Sequence, residues 1–308
     1  MPLNITLCYP GVDPAPWLEG LHSCLPGADI RVWQPGDPVA DYGVTWAPPQ
    51  QFVDEQAEVK AVFNMGAGVD KLLQLRLPAH WKVVRLDDAG MAVQMAEYVC
   101  HALTRHFRGF VRYEQQAREC LWQQCPPQVR ADYPVGIMGM GVLGQRVAQA
   151  VQSFGFPVRG WSRMPRPVAG VQTFAGRAGL GAFLAATRML VCLLPLTPDT
   201  RGLLDRSVLS QLQAGAYLVN VARGALLVEQ DLLDLLGTGQ IAGATLDVFQ
   251  HEPLAPDHAF WRHPRIQVTP HISAQTLEHD SLEQIAGKIR ALERGERIAG
   301  IVDLACGY

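Results

Sequence analysis

The sequence predicts an α/β protein built from two doubly wound parallel-sheet domains. Three observations carry that prediction. Short apolar, β-rich runs alternate with longer helical stretches along the chain, the pattern of an open parallel sheet with helices on its faces. Pairs of glycine and proline punctuate the runs, at Pro10-Gly11, Pro26-Gly27, Pro35-Gly36 and Pro48-Pro49, where turns belong. The alternation occurs twice in 308 residues, a length that allows each half its own core.

In the first series, strands are expected at residues 5–8, 30–33, 44–46, 61–64 and 83–86. A long helical stretch follows over residues 95–122, with Ala96, Val99, Leu103, Phe107 and Phe110 at helical spacing, and stops before Pro126-Pro127. It reads as a link between domains. The second series has expected strands at residues 135–138, 158–161, 189–194, 216–221, 244–248 and 267–269. Most are continuous apolar runs, as strands covered on both faces require. Residues 273–294 are helical again, and the tail 298–308 holds a further possible strand. The expected domains are therefore 1–98 joined by 277–308, and 99–276.

Composition excludes several classes. Apolar residues make up 48% and charged residues 18%, which argues against a disordered chain. The net charge of −3 offers no basic stripe for nucleic acid or an anionic membrane. The seven cysteines are scattered without a CxxC pair or a Cys/His cluster of zinc-ligand spacing, so no metal is expected. Reduced thiols, an N-terminus without signal-peptide character and the lack of an apolar run of about 18 residues point to the cytoplasm.

The strongest local signal is Gly139-Met140-Gly141-Val142-Leu143-Gly144. Alone, this spacing is weak. Here an apolar strand precedes it and an amphipathic helix follows, with Val147, Val151 and Phe154 on one face. In that context Gly139 permits a tight turn, Gly141 admits a pyrophosphate close to the backbone, and Gly144 lets helix and strand pack. The pyrophosphate then sits on the helix N-terminus. The next strand ends in Ser162-Arg163, with Arg166 close behind, where an NAD site normally carries an acidic residue for the ribose. A hydroxyl and two guanidinium groups suit a 2′-phosphate, so NADP(H) is the expected cofactor, with NAD(H) possible.

Three later segments place polar groups just after strands, at the edge where such sheets bind ligands. Arg223, in Asn220-Val221-Ala222-Arg223-Gly224, can pair with a carboxylate or polarise a carbonyl. Asp247 closes the next strand. Glu252, in His251-Glu252-Pro253, and His271, in Thr269-Pro270-His271-Ile272-Ser273, can form an acid pair. Reducing a ketone requires a proton on oxygen as well as hydride on carbon, and histidine titrates near neutrality. Each residue alone also fits a bland role, Arg223 as a surface charge and His271 as a structural ring.

Taken in order, GxGxxG, NVARG, LDVFxxEP and TPHISA resemble the D-isomer-specific 2-hydroxyacid dehydrogenase family over essentially the whole chain. The resemblance implies a flavodoxin-like substrate domain, a Rossmann dinucleotide-binding domain and, as a rule, a homodimer formed through the long helix. It implies that Arg223 binds substrate, that His271 is the acid/base assisted by Glu252, and that Asp247 contacts the nicotinamide amide. Cofactor contacts are further implied at Val142, Leu143, Leu194, Pro195, Thr200, Val221 and Ala222. The loop Asn64-Met65-Gly66-Ala67-Gly68 is similar to the family's substrate loop, whose backbone amides form an anion nest. Trp46 in Trp46-Ala47-Pro48-Pro49, the segment 89–98 (AGMAVQMAEY), Trp161-Ser162-Arg163 and the terminal Gly307-Tyr308 resemble a subgroup that reduces glyoxylate and hydroxypyruvate with NADPH. Trp46 departs from the small residue usual at its position, and its indole is expected to narrow the pocket for two- or three-carbon acids. A broader 2-oxo acid reductase and a dinucleotide-sensing binding protein are the alternatives.

Overall fold

The structure is a computed structural model that describes residues 2–307. Tyr308 of the Gly307-Tyr308 pair lies outside the described residues. The chain divides into two compact units, Met1–Met91 with Thr276–Tyr308, and Ala92–Gln275.

The first unit carries a five-stranded parallel sheet made of β1 (Asn4–Cys8), β2 (Asp29–Val32), β3 (Tyr42–Thr45), β4 (Ala61–Asn64) and β5 (Val83–Val84). Its order is β2-β1-β3-β4-β5, the flavodoxin-like doubly wound arrangement. Central β3 and β4 are buried along their whole length. The helices Ala15–Cys24 and Glu278–Glu293 pack together, and Gly20 is the point of contact, since a Cβ there would lie 2.1 Å from Leu282 Cδ1. The tail does not form the further strand expected from its sequence. It makes a single antiparallel bridge, Ile301 to Val84, with Val302 N donating to Val83 O at 2.8 Å. Gly300 turns at a φ of +82° just before it, and β5 is only two residues long, so there is no edge for a longer pairing.

The second unit carries a seven-stranded parallel sheet made of β6 (Val135–Met138), β7 (Val158–Ser162), β8 (Gln172–Ala175), β9 (Met189–Cys192), β10 (Ala216–Asn220), β11 (Ile241–Leu246) and β12 (Ile266–Val268). The order β12-β11-β10-β9-β6-β7-β8 reverses direction between β6 and β9, which makes a topological switch point there. β6, β9 and β10 are buried at every position, as their unbroken apolar runs require. β8 was not legible. Its sequence, Gln-Thr-Phe-Ala, is exposed or half-buried, and an edge strand needs no apolar run. Trp161 Nε1, donating to Gly176 O at 2.9 Å, fastens the end of this edge.

The long helical stretch is two helices, Met91–Phe107 and Phe110–Arg118. Gly109, in the left-handed region at a φ of +66°, separates them, as a glycine that ends a helix does. The first helix starts earlier than its sequence suggests and belongs to the second unit's core through Met95, Ala96, Val99, Leu103 and Phe107. For that reason the units part at Met91 and Ala92, ahead of the helix body, whereas the sequence reading placed the division at residue 98. His106 stacks on Tyr217 with ring centroids 4.0 Å apart. Burial, aided by the charge of Arg188, pushes its imidazole down to about 4, so the ring in this stack is neutral.

Candidate active site

Because every strand of the second sheet runs in parallel, the segments after β6, β7, β9, β10, β11 and β12 all emerge on one edge. That register brings together motifs scattered over 130 residues of sequence on the order of one sheet width.

The glycine turn leaves β6 and enters a twelve-residue helix, Val142–Ser153, whose cap is Gly141. Gly139 adopts a φ of +104°, open to glycine alone without strain. Gly144 is forced by proximity, since a Cβ there would lie 1.9 Å from the Gly139 carbonyl oxygen. A Cβ on Gly141 would meet nothing within 4 Å, and no side chain caps the helix. Val142 and Leu143 form its first turn. Orphan first-turn N–H groups and open space are what a pyrophosphate requires. At the end of β7, Ser162 Oγ donates to Met164 O at 2.7 Å, and Arg166 Nη1 reaches back to Met140 O at 3.0 Å. Arg166 therefore lies against the glycine turn itself. Residues 160–170 contain Arg163 and Arg166 and no carboxylate, so a phosphorylated ribose meets no like charge here. The residues present fit a phosphorylated dinucleotide.

Leu194 is buried at the start of the loop after β9. Thr200 Oγ1 donates to Pro195 O at 2.7 Å and holds this loop closed. Val221 and Ala222 are buried after β10, and the turn that carries Arg223 is shaped by Asn220. The Asn220 amide donates to Arg223 O at 3.1 Å and accepts from Ala222 N at 3.2 Å. Gly224 follows because the Phe249 backbone passes at 1.8 Å from where a Cβ would sit. Arg223 Nη1 donates to Ala222 O at 2.7 Å, which fixes the guanidinium beside its own turn.

His271 and Glu252 come together. His271 Nδ1 and Glu252 Oε2 are 2.8 Å apart, and Glu252 Oε1 accepts from Phe249 N at 3.0 Å. Burial alone would push the Glu252 carboxyl up. The hydrogen bonds from His271 and Phe249, with the charges of His271 and Arg223, outweigh it and hold the carboxyl below the usual range. Glu252 is thus an anion facing both the ring and the guanidinium. With Nδ1 engaged by a carboxylate, the ring's tautomer and orientation are set.

Asp247 directly follows β11. It is fully buried. Its Oδ1 accepts from Thr269 Oγ1 at 2.6 Å and Ile272 N at 2.8 Å, and its Oδ2 accepts from Ser273 N at 2.7 Å. This carboxylate, with no exposed surface, accepts three hydrogen bonds from the loop around His271. Thr269 and Tyr98, whose hydroxyls hydrogen-bond each other, are the members of the site that sequence reasoning passed over. Both lay inside quoted motifs, but a hydroxyl after a strand and a tyrosine on a helix carry no chemical signature by themselves.

In the first unit, Trp46 follows β3 and the Gly66–Gly68 loop follows β4. A Cβ on Gly66 would lie 2.6 Å from Trp46 Cζ3, so the indole rests directly on this loop. Buried Asn64 donates to the carbonyls of Gly66 and Gly68 at 2.9 and 3.0 Å, which turns those carbonyls inward around Ala67. Among the described residues no His/Cys/Asp/Glu group could hold a metal ion, and no helix is long and apolar enough to cross a membrane.

A dinucleotide turn at the switch point of a Rossmann sheet, with a glutamate-backed histidine on the same edge, defines the class: a nicotinamide-dependent oxidoreductase. The match to known proteins narrows it. Residues 100–273 match the model of the D-isomer specific 2-hydroxyacid dehydrogenase NAD binding domain, and the chain belongs to that family. Glyoxylate/hydroxypyruvate reductase A of Yersinia enterocolitica is 46% identical over 99% of this chain and 100% of its own length. The protein of the same name from Serratia proteamaculans is 46% identical with the same coverage. Among solved structures, a D-isomer specific 2-hydroxyacid dehydrogenase from Xanthobacter autotrophicus, in complex with NADPH and MES, is 38% identical and superposes with a TM-score of 0.93 over 99% of both chains. The NADPH-dependent glyoxylate/hydroxypyruvate reductase of Sinorhizobium meliloti, in complex with NADP and sulfate, is 35% identical with a TM-score of 0.93, over 99% of this chain and 100% of its own.

Proposed function

We propose that this protein reduces glyoxylate to glycolate and hydroxypyruvate to D-glycerate, with NADPH as the preferred reductant and NADH as a possible one. The observation that carries the reading is the His271–Glu252 pair at 2.8 Å, on the sheet edge that also carries Arg223 and the glycine turn. Full-length relatives named for both acids, and structures of relatives with NADP or NADPH bound, support it.

Gly139, Gly141, Val142, Leu143 and Gly144 would hold the pyrophosphate, and Ser162, Arg163 and Arg166 the 2′-phosphate. Leu194, Pro195, Thr200, Val221 and Ala222 would line the remaining cofactor surface. When bound, NADPH supplies the hydride that adds to the carbonyl carbon. Arg223 holds the 2-oxo acid and stabilises the oxygen as negative charge develops on it. His271 gives that oxygen its proton. Its Nδ1 is on Glu252, so Nε2 is the nitrogen that delivers it, and the Glu252 anion holds the ring in the orientation for transfer. Trp46, Gly66, Ala67 and Gly68 are assigned to substrate recognition, with the Trp46 indole limiting substrate size.

The test is the reaction itself. Loss of 340 nm absorbance is followed with glyoxylate, hydroxypyruvate, pyruvate and phosphohydroxypyruvate, each with NADPH and NADH. The reading expects kcat/KM highest for the first two acids with NADPH. Oxidation of neither cofactor by any of the acids would remove it, and equal rates across the acids would replace it by a broad 2-oxo acid reductase.

A homodimer belongs to the same reading. The second unit exposes Val93, Phe110, Val111 and Phe154 on and near the helices Met91–Phe107 and Phe110–Arg118, and Trp122 beyond them is 96% exposed. Apolar surface of this kind is normally covered by a partner. Sedimentation at micromolar concentration should give about twice the chain mass of 33.8 kDa, and a monomer mass would contradict it.

A further inference from the structure

His271 stands in the left-handed region at a φ of +56°. For a non-glycine residue this is a costly backbone that persists only where its surroundings over-determine it. The structure shows what does so. His271 N donates to Asp247 O at 2.9 Å. The next two amides, of Ile272 and Ser273, both donate to the Asp247 carboxylate at 2.8 and 2.7 Å. One buried residue therefore grips the histidine's own amide through its carbonyl and the two amides after it through its carboxylate.

The third donor to that carboxylate is Thr269 Oγ1 at 2.6 Å, and Thr269 is in turn hydrogen-bonded to the Tyr98 hydroxyl. The direction of this chain follows from proton counting. An ionised carboxylate only accepts, and each hydroxyl has one proton to donate. Thr269 spends its proton on Asp247, so Tyr98 must donate to Thr269. Burial, acting first, and the charge of Asp247 push the Tyr98 phenol up, against the pull of Thr269, so it keeps the proton that the chain requires. Tyr98 sits on the helix Met91–Phe107, which packs into the core of the second unit through Val99, Ala102 and Leu103, with Tyr98 itself against the same cluster. The helix is seated in that core, and its Tyr98 hydroxyl reaches the loop.

We propose that Tyr98 and Thr269 are positioning residues of the acid–base site. Through the ordered relay Tyr98 to Thr269 to Asp247 they hold the 269–273 loop, and with it His271, in its strained working geometry. The catalytic consequence rests on the function proposed above, while the structural claim does not. Neither residue touches the reacting atoms. Linked hydrogen bonds in a low-dielectric interior reinforce each other, so weakening the first link loosens the last.

The test uses the full-length protein and the variants Thr269→Val, Thr269→Ser and Tyr98→Phe. Valine matches threonine in shape and removes the hydroxyl, both the donor to Asp247 and the acceptor for Tyr98. Two readouts are taken: hydrogen exchange of the Ile272 and Ser273 amides in the protein without added ligand, and kcat with KM for NADPH. Losing a hydrogen bond to a buried charge predicts that Thr269→Val exchanges those amides about 10- to 100-fold faster and lowers kcat by a similar factor. KM for NADPH should stay within about 2-fold, because the glycine turn is untouched. Tyr98→Phe should move both readouts the same way by roughly 3- to 10-fold, as the loss of a neutral link does. Thr269→Ser should restore both. Unchanged exchange of both amides in Thr269→Val and Tyr98→Phe overturns the relay, whatever happens to kcat. Faster exchange in the variants, beside a wild type that reduces no 2-oxo acid, would sustain the relay and remove the functional reading instead.

Discussion

Replacing His271 with alanine lowers kcat by about two to four orders of magnitude, the usual worth of a positioned general acid, and leaves NADPH affinity nearly unchanged. The expectation follows from where the two functions sit. The groups assigned to the cofactor's phosphates lie on the turn after β6 and at the end of β7, and the rest of its surface follows β9 and β10, whereas the proton source is the ring held by Glu252 at 2.8 Å. Removing the ring removes the proton and leaves the cradle. A second variant separates chemistry from backbone strain. Asparagine tolerates the left-handed region far better than alanine, so His271→Asn keeps the loop but has no titrating group. Both variants should fall together. Initial rates with saturating NADPH and glyoxylate, and a fluorescence titration of NADPH binding, read the two quantities. A kcat within about 3-fold of wild type in both variants would refute the acid role.

Replacing Arg223 with alanine lowers kcat/KM for the 2-oxo acid by about 100- to 1,000-fold, the range for removing a donor aimed at a developing oxyanion. Arg223→Lys should recover only part of this. Lysine keeps the charge, but a guanidinium presents a planar fork matched to a carboxylate and its neighbouring carbonyl. Asn220 shapes the turn from below, with hydrogen bonds to Arg223 O and Ala222 N, so the backbone should survive either substitution. Glu252 gives an independent check, because the charge of Arg223 contributes to holding its carboxyl below the ordinary range. A loss confined to NADPH binding, with the acid's KM unchanged, would place Arg223 on the cofactor instead.

The parts of this fold that were legible in the sequence are those where one physical demand dominates. β6, β9 and β10 are buried on both faces and can only be apolar. The glycine turn shows because a left-handed φ at Gly139 and a 1.9 Å approach at Gly144 leave no other residue. His271 and Glu252 show because proton chemistry narrows the choice of side chain. What stayed hidden depends on tertiary context. β8 is an edge strand with polar faces. The helix expected to run unbroken to Trp122 bends at Gly109 and ends at Arg118, since one glycine inside an apolar periodicity is easily overridden. Asp247 lies in a recognisable motif, yet its burial and its three donors appear only once the 269–273 loop folds over it. Tyr98 and Thr269 meet across 171 residues of chain, a juxtaposition that no local pattern encodes.

The central claim is that hydride and proton are delivered to the carbonyl of a small 2-oxo acid. Isotope transfer tests it most directly. NADPH carrying deuterium at the transferable C4 position is incubated with hydroxypyruvate and the protein, and the product is analysed for label position and configuration. The account predicts D-glycerate with one deuterium, bound to C2, formed by the wild type and nearly abolished by His271→Asn. Glycerate without label at C2, or of the L configuration, would contradict it.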